Sequence, residues 1–428
     1  MKNNLKKYIV FWLSQSVSQL GSAMTGYALI LWVYTIKHSA LTVSLMSFCN
    51  YVPYIVISLF AGTFVDRHSK KKIMLVSDGI AAICSALVLL LSFGGGLQIW
   101  HIYLVNAVIG FMNAFQGPAS SVAMGRIVPK EKLTNVSGMN SFSTNLTMVL
   151  TPVIAAFLYA LGGLKFVLII DLTSFAIAFL VLLFLIFIPE YTEVGKQNDS
   201  IFAGCKEGYV FLIQNKGIFM IVVTMALLNF FSRLTYENIL SAMVLARSGD
   251  NAMALGVVNA VMGIGGILGG IIVSAGKISE DNMKMIYVSA ALSFLLGDLL
   301  MGVGRNPVMW SVAGLAASLP IPFINAGQNV VLYKKVPDEM QGRVFAVRNA
   351  IQFSTIPVGI LLGGFLADYV FEPFMMSESF AASGLQLLVG RGQGNGMAVM
   401  FLCTGLMGCL FSLISYRRKE IQELREID

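Results

Sequence analysis

The sequence predicts an all-α membrane protein, with twelve transmembrane helices in two six-helix pseudo-repeats. Three observations carry this expectation. First, 57% of the 428 residues are hydrophobic and only 12% are charged, against about 25% charged in an ordinary soluble domain. A globule needs a polar exterior, so a chain this apolar has lipid as its natural solvent. Second, the apolar residues gather into twelve runs, each near the roughly 20 residues needed to cross a ~30 Å hydrocarbon core. Third, landmarks in the first half recur in the second at one constant offset of 208 residues.

The runs lie at 8–34, 42–65, 73–93, 98–123, 135–162, 164–188, 217–244, 252–275, 284–304, 307–332, 344–371 and 395–416. A helix satisfies its own backbone groups, which lipid cannot do, and membrane helices tolerate the Gly and Pro found in several runs. Gly62 and Asp66 at the end of the second run map to Gly270 and Ser274. Val128-Pro129 maps to Val336-Pro337, and Ala155-Ala156 to Gly363-Gly364. Repeated six-helix halves are a transporter architecture. The expected domains are a six-helix bundle over 1–189, a cytoplasmic linker over 190–216 with an amphipathic piece at 202–212, and a second bundle with a cytoplasmic tail over 217–428.

Orientation follows from Lys and Arg. With the N-terminus inside, 23 of the 29 fall in inside segments and five outside (Lys37, Lys165, Arg247, Arg305, Arg391), while Arg233 lies within a span. This positive-inside bias predicts two cytoplasmic termini in a plasma-membrane protein. It also accounts for the net charge of +7 through the anionic inner leaflet, without nucleic acid. The first run is too long for a signal-peptide core and carries no small-residue cleavage pattern, so it is expected to stay as the first span. Five cysteines and three histidines show no metal-ligand spacing. No Walker loop and no clustered nucleophile and base are present, so ATP drive and membrane-embedded catalysis are not expected.

After the second span the chain reads Gly62-Thr-Phe-Val-Asp66-Arg67-His-Ser-Lys70-Lys71-Lys72. A carboxylate at a helix end, beside an Arg and a basic run, can pair with a facing helix N-terminus and release it. That predicts a cytoplasmic gate, with Asp78 near the inner end of the third span as part of the same charge cluster. The plain alternative is an ordinary basic inside loop. The segment resembles the signature loop of the major facilitator superfamily, with Ser69 in place of its second glycine. Further stretches are similar to the macrolide-efflux-type branch of drug:proton antiporters. They include Ser18-Gln19-Leu20-Gly21-Ser22, Asp78, Gln116-Gly117-Pro118-Ala119, Asp171, Lys206-Glu207-Gly208 and Gly342-Arg343-Val344-Phe345. The antiporter pattern of the fifth span is degraded to Thr151-Pro152 with Ala155-Ala156.

The resemblance implies a secondary transporter that exports hydrophobic or amphipathic, macrolide-like compounds in exchange for protons. No cofactor is implied, because the proton gradient supplies the energy. Export of a dedicated metabolite, siderophore or lipid on the same fold is the alternative. The expected partners are a small-molecule substrate, protons and membrane lipids, and the chain is expected to act as a monomer. The resemblance extends the gate to Gly342 and Arg343.

Ionisable and polar residues inside spans are costly and therefore candidates. Asn229, Arg233 and Glu237 share one face of the seventh span at i, i+4, i+8; Arg233 and Glu237 form either a structural ion pair or a site where Glu237 takes a proton. Asp171 lies near the outer end of the sixth span, as an interhelical hydrogen-bond centre or a pathway residue. Asp298 is expected in packing or an outer water contact, and Asp368 at the interface. Polar stripes run along the first span (Gln15, Ser18, Gln19, Ser22, Thr25), the fourth (Asn106, Asn113, Gln116) and the tenth (Ser318, Asn325, Asn329). In the family's fold these spans face a central cavity, and helix–helix hydrogen bonding is the alternative.

Overall fold

The computed structural model describes residues 2–127, 133–188, 201–275 and 281–426, and no strand occurs among them. The helices group into two compact units, the first made of Met1–His38 and Leu45–Val194, the second of Ser39–Ser44 and Gly195–Asp428. The first unit holds α1 (Lys2–Lys37), most of α2 (Ala40–Arg67), α3 (Lys70–Phe93), α4 (Ile99–Ile127) and α5 (Leu133–Leu180). The last of these runs 48 residues, about 72 Å if straight, more than twice the hydrocarbon thickness. It turns at Gly163 (φ 64°, ψ −163°), a conformation that glycine adopts without a Cβ clash. Gly163 falls in the one-residue gap that separates the predicted fifth and sixth spans.

The second unit holds α6 (Ile201–Gln214), α7 (Lys216–Thr235), α8 (Ile239–Ser248), α9 (Ala252–Ala275), α10 (Asn282–Leu292), α11 (Leu299–Val303), α12 (Pro307–Ser318), α13 (Ile321–Lys335) and α14 (Asp338–Leu366). It closes with α15 (Glu372–Met376), α16 (Phe380–Val389), α17 (Asn395–Tyr416) and α18 (Lys419–Glu426). Five predicted spans depart from a continuous α-helix. The seventh breaks between α7 and α8 and the tenth at Leu319-Pro320, where proline cannot donate to the ladder, while the sixth, ninth and eleventh pass through π-helical turns, Val181–Leu185, Ser293–Asp298 and Ala367–Phe371. Among the described residues, nine stretches are long and apolar enough to cross a membrane. One of them, Ser143–Leu185, bends at Gly163 and so makes two passes. With α1 and α4 added, the helices are consistent with twelve spans.

Packing relies on close backbone approach. A Cβ on Gly363 would lie 2.4 Å from the Leu234 carbonyl oxygen, so α14 and α7 meet without a side chain between them, as small residues allow in membranes. The predicted linker segment 202–212 lies within α6, which is docked. A Cβ on Gly208 would lie 2.7 Å from the Arg343 carbonyl oxygen, and buried Leu212 packs with Val336, Val344 and Val347. Asp298, 1% exposed, accepts from Tyr236 Oη at 2.8 Å and from Thr404 Oγ1 at 2.7 Å. It therefore ties the break after α7 to α17, which is a packing role. Asp368 is also engaged by protein groups. Its carboxylate accepts from Ser39 Oγ at 2.6 Å and from the Ala40 and Leu41 amides at 3.1 and 2.9 Å, capping the helix start that belongs to the second unit.

Two substitutions check this packing. Gly363→Ala is expected to lower the thermal midpoint of the detergent-solubilised protein, at a cost of about 1–3 kcal/mol for forced backbone displacement. Gly266→Ala, whose Cβ would meet nothing within 4 Å, is expected to leave the midpoint unchanged or raise it slightly through helix propensity. Equal midpoints for the two variants would contradict the packing argument. Tyr236→Phe is expected to destabilise by about 1–3 kcal/mol, because a buried carboxylate loses one of its two donors.

Candidate functional site

The first unit holds a partly open cavity of about 510 Å³ with polar side chains in its walls. Its walls are built by helical periodicity. Gln15, Ser18, Gln19, Ser22 and Thr25 fall at i, i+3, i+4, i+7 and i+10, one face of α1. On α3 the spacing of Asp78, Ala81, Ala82 and Ser85 does the same, and on α4 that of Asn106, Asn113 and Gln116. Asn50 of α2 and Asp171 of α5 complete the lining. The predicted stripes of the first and fourth spans thus meet in one cavity, and the face of α3 joins them. From Gln15 to Leu29 the cavity follows α1 for about 21 Å.

Two carboxylates line this space. Asp171 is 4% exposed and is clasped by three hydroxyls. Oδ1 accepts from Ser22 at 3.1 Å, and Oδ2 accepts from Thr25 at 2.8 Å and Ser85 at 3.2 Å. The centre joins α1, α3 and α5. It needs Gly21, where a Cβ would stand 2.4 Å from Ser174 Oγ and 3.0 Å from Asp171 Oδ1. Asp78 accepts from Gln116 Nε2 at 2.8 Å. The charge cluster expected of it turns on Asp66 and Arg67, whose side chains lie outside the described residues; what the structure shows is Asp78 bonded across to α4 and facing the cavity with Asp171. The reason is angular: Asp78 stands one helical turn from Ala81 and Ala82 and two from Ser85, on the face α3 turns to the cavity.

The expected gate is only partly on view. The side chains of Asp66 and Arg67, and the surroundings of Gly62 and Gly342, lie outside the described residues. Ser69, in the position of the signature's glycine, caps α3 by accepting from the Lys72 amide at 3.4 Å. Lys70 is buried at 3% exposure. Lys71 Nζ donates to the carbonyls of Leu183 and Ile186 at 2.9 and 2.8 Å, closing the helix end of the sixth span, where a cation suits the exposed carbonyls. Arg343 pairs with Glu207 of α6, so within its unit it fastens the linker helix to α14.

In the second unit, Arg233 and Glu237 do form an i, i+4 ion pair. Glu237 sits in the break after α7. Asn229 is half-buried and Asn325 is exposed. Sequence reasoning misses Arg348, whose Nη1 donates to Asn329 Oδ1 at 3.1 Å and whose Nη2 donates to Asn349 Oδ1 at 2.9 Å, with the guanidinium over the Phe345 ring. The charge count places it with the inside loops, although it already lies inside the predicted eleventh span. Arg247, an outside-loop cation by the same count, donates to the Val389 carbonyl at 2.6 Å and stacks over Trp310. Glu372 caps α17 by accepting from the Gly394 and Met397 amides at 3.2 and 2.9 Å. Among the described residues, no group of three or more His, Cys, Asp or Glu side chains is placed to hold a metal ion.

Comparison with known proteins points to a transporter. The family profile of the Major Facilitator Superfamily matches residues 11–360. Macrolide efflux protein A of Streptococcus pyogenes is 25% identical over 86% of this chain and 91% of its own length. The Staphyloferrin A transporter of Staphylococcus aureus is 21% identical over 88% and 93%. Among solved structures, a bacterial homologue of the iron transporter ferroportin in an inward-facing state superposes with a TM-score of 0.67 at 13% identity, covering 97% of this chain and 99% of that one; a likeness at that identity speaks for the fold alone. The family match spans most of the sequence, and on that ground the chain belongs to the major facilitator superfamily, as a multi-pass membrane transporter and not an enzyme.

Proposed function

We propose that the protein exports hydrophobic or amphipathic, macrolide-like compounds in exchange for protons, by alternating access, from a plasma membrane in which both termini face the cytoplasm. The observation that carries this reading is the pairing of Asp78 and Asp171 in one cavity that, among the described residues, is lined by no Lys, Arg or His. Their donors are an amide and three hydroxyls. A hydroxyl can donate to a carboxylate and accept from a carboxylic acid, so the Asp171 centre can hold its acid in either state without rebuilding the site. An ion pair could not, because a neutralised acid leaves its cation stranded. Asp78 lies in the same cavity and, among the described residues, is held at one oxygen by the Gln116 amide, which leaves its other oxygen for a proton or for cargo; it is therefore assigned the exchange, with the Asp171 centre tolerating either state beside it. Macrolide efflux protein A supports the cargo class by relation, and the positive-inside count supports the orientation. The Arg233–Glu237 pair is assigned a structural part in the break after α7.

The S. aureus relative favours a second reading, export of a dedicated siderophore. A cavity bearing two carboxylates suits a neutral or basic cargo better than an anionic one. A panel of macrolides and siderophores tested for resistance or release in an export-deficient host separates the two, and protection against macrolides is the expected result.

Proton coupling is read directly in proteoliposomes with an imposed proton gradient. Asp78→Asn is expected to insert normally and to lose gradient-driven macrolide movement by about tenfold or more, the scale of one lost charged interaction. Asp171→Asn is expected to lose it as well. Gradient-driven transport at the wild-type rate in both variants would remove these residues from the proton path.

A further inference from the structure

A second recess of about 250 Å³ lies between α1, α4 and α5 of the first unit and shares Gln15, Gln19 and Gln116 with the carboxylate cavity. Its chemistry differs from that of its neighbour. Among the described residues no charged side chain lines it, and the walls are amides and hydroxyls with Phe11 and the indole of Trp12. Three buried polar atoms here have no hydrogen-bond partner among the described residues: the donors Trp12 Nε1 and Gln15 Nε2, and the acceptor Gln116 Oε1. Gln15 is only 9% exposed. Leaving such groups unpaired in an apolar surround is costly. Ser16 and Ser143 are bonded to each other at 2.6 Å and cannot be the missing partners for all three.

The unpaired set defines what would complete it. An ammonium only donates, so it would satisfy Gln116 Oε1 and leave both donors bare. A carboxylate only accepts, so it would leave Gln116 Oε1 bare and bring a charge with no counterion. A hydroxyl does both. The space is also several times the ~30 Å³ share of one water molecule, and the indole of Trp12 in its wall suits the C–H face of a saturated ring. We propose that this recess binds an uncharged, polyhydroxylated group, a glycosyl ring, attached to the cargo whose body occupies the carboxylate cavity. The inference rests on the macrolide-like cargo reading and adds to it a recognised substituent.

The test compares a macrolide carrying one neutral sugar with the aglycone of the same macrolide, each titrated into the full-length protein in nanodiscs. The glycosylated compound is expected to bind about tenfold tighter, the sum of two or three net hydrogen bonds. Trp12→Phe, which removes only the indole N–H and part of the ring, is expected to weaken the glycosylated compound about 3- to 10-fold and to leave aglycone affinity unchanged, which also shows that the variant is folded. Gln15→Leu, at a residue shared with the carboxylate cavity, is expected to weaken the glycosylated compound more than the aglycone. Equal affinity of the two compounds for the wild type would overturn the subsite while leaving the cargo class standing. Equal weakening of both compounds by Trp12→Phe would do the same. If neither compound binds the wild type, the cargo class fails and the subsite falls with it.

Discussion

The clasp on Asp171 is the interaction on which the first unit depends. A carboxylate inside a membrane span must either be paired or be surrounded by donors, because lipid offers it nothing. Here Ser22 and Thr25 from α1 and Ser85 from α3 converge on one side chain of α5. The register of three helices is fixed by that convergence. Gly21 is part of the same constraint, since any larger residue would push α1 away from α5 and pull the Ser22 and Thr25 hydroxyls off their acceptor. The cavity exists because the helices are held at this spacing by polar contacts, where apolar side chains would have filled the gap.

The second unit meets the same demand by other means. Glu237 is paired with Arg233, Asp298 with two hydroxyls from different helices, and Arg348 with two asparagine oxygens. An acid matched to a cation is stabilised in one state of charge, so losing or gaining a proton breaks the pair. An acid held by hydroxyls is indifferent by comparison, because each hydroxyl can reverse its bond. This difference separates acids fixed in one charge state from an acid whose surroundings accept either. Asp298 shares the hydroxyl chemistry of Asp171 but stands outside the polar cavity, which leaves it a brace.

Much of this is legible in the sequence because it rests on period and spacing. A stripe at i, i+3, i+4 and i+7 defines a helix face by periodicity alone, and the stripes on α1 and α4 do line one cavity. The gap between predicted fifth and sixth spans falls on Gly163 because glycine is where a helix of that length can turn. Partners distant in sequence cannot be read this way. Asp78 sits close to the basic loop along the chain, and that proximity suggests the gate. The hydrogen bond it makes, to Gln116, reaches 38 residues away to a neighbouring helix. Lys71 likewise looks like one of a run of loop cations, whereas its ammonium is bound to carbonyls more than a hundred residues on. Arg348 escapes notice because a cation near a span boundary looks the same in a charge count whether it reaches the surface or turns inward.

The departures from the family's signature make sense on the same footing. Ser69 stands where the signature has glycine, and it gives α3 a side-chain cap that glycine could not supply. The gain is a firmer start to the helix that carries Asp78 and Ser85, and therefore one wall of the cavity. In the second half the counterpart of the signature acid is Ser274, whose hydroxyl bonds back to the Gly270 carbonyl at 2.8 Å, a local use that asks nothing of a partner. A repeat with an acid at both positions would have two equivalent charged ends to neutralise. With a self-satisfied hydroxyl at one of them, charge chemistry concentrates in the first half, the half that also holds the two-acid cavity. The sequence asymmetry between Asp66 and Ser274 and the structural asymmetry between a hydroxyl-clasped cavity and a set of braces point the same way: the repeats share a scaffold, and the proposed proton exchange draws on the first.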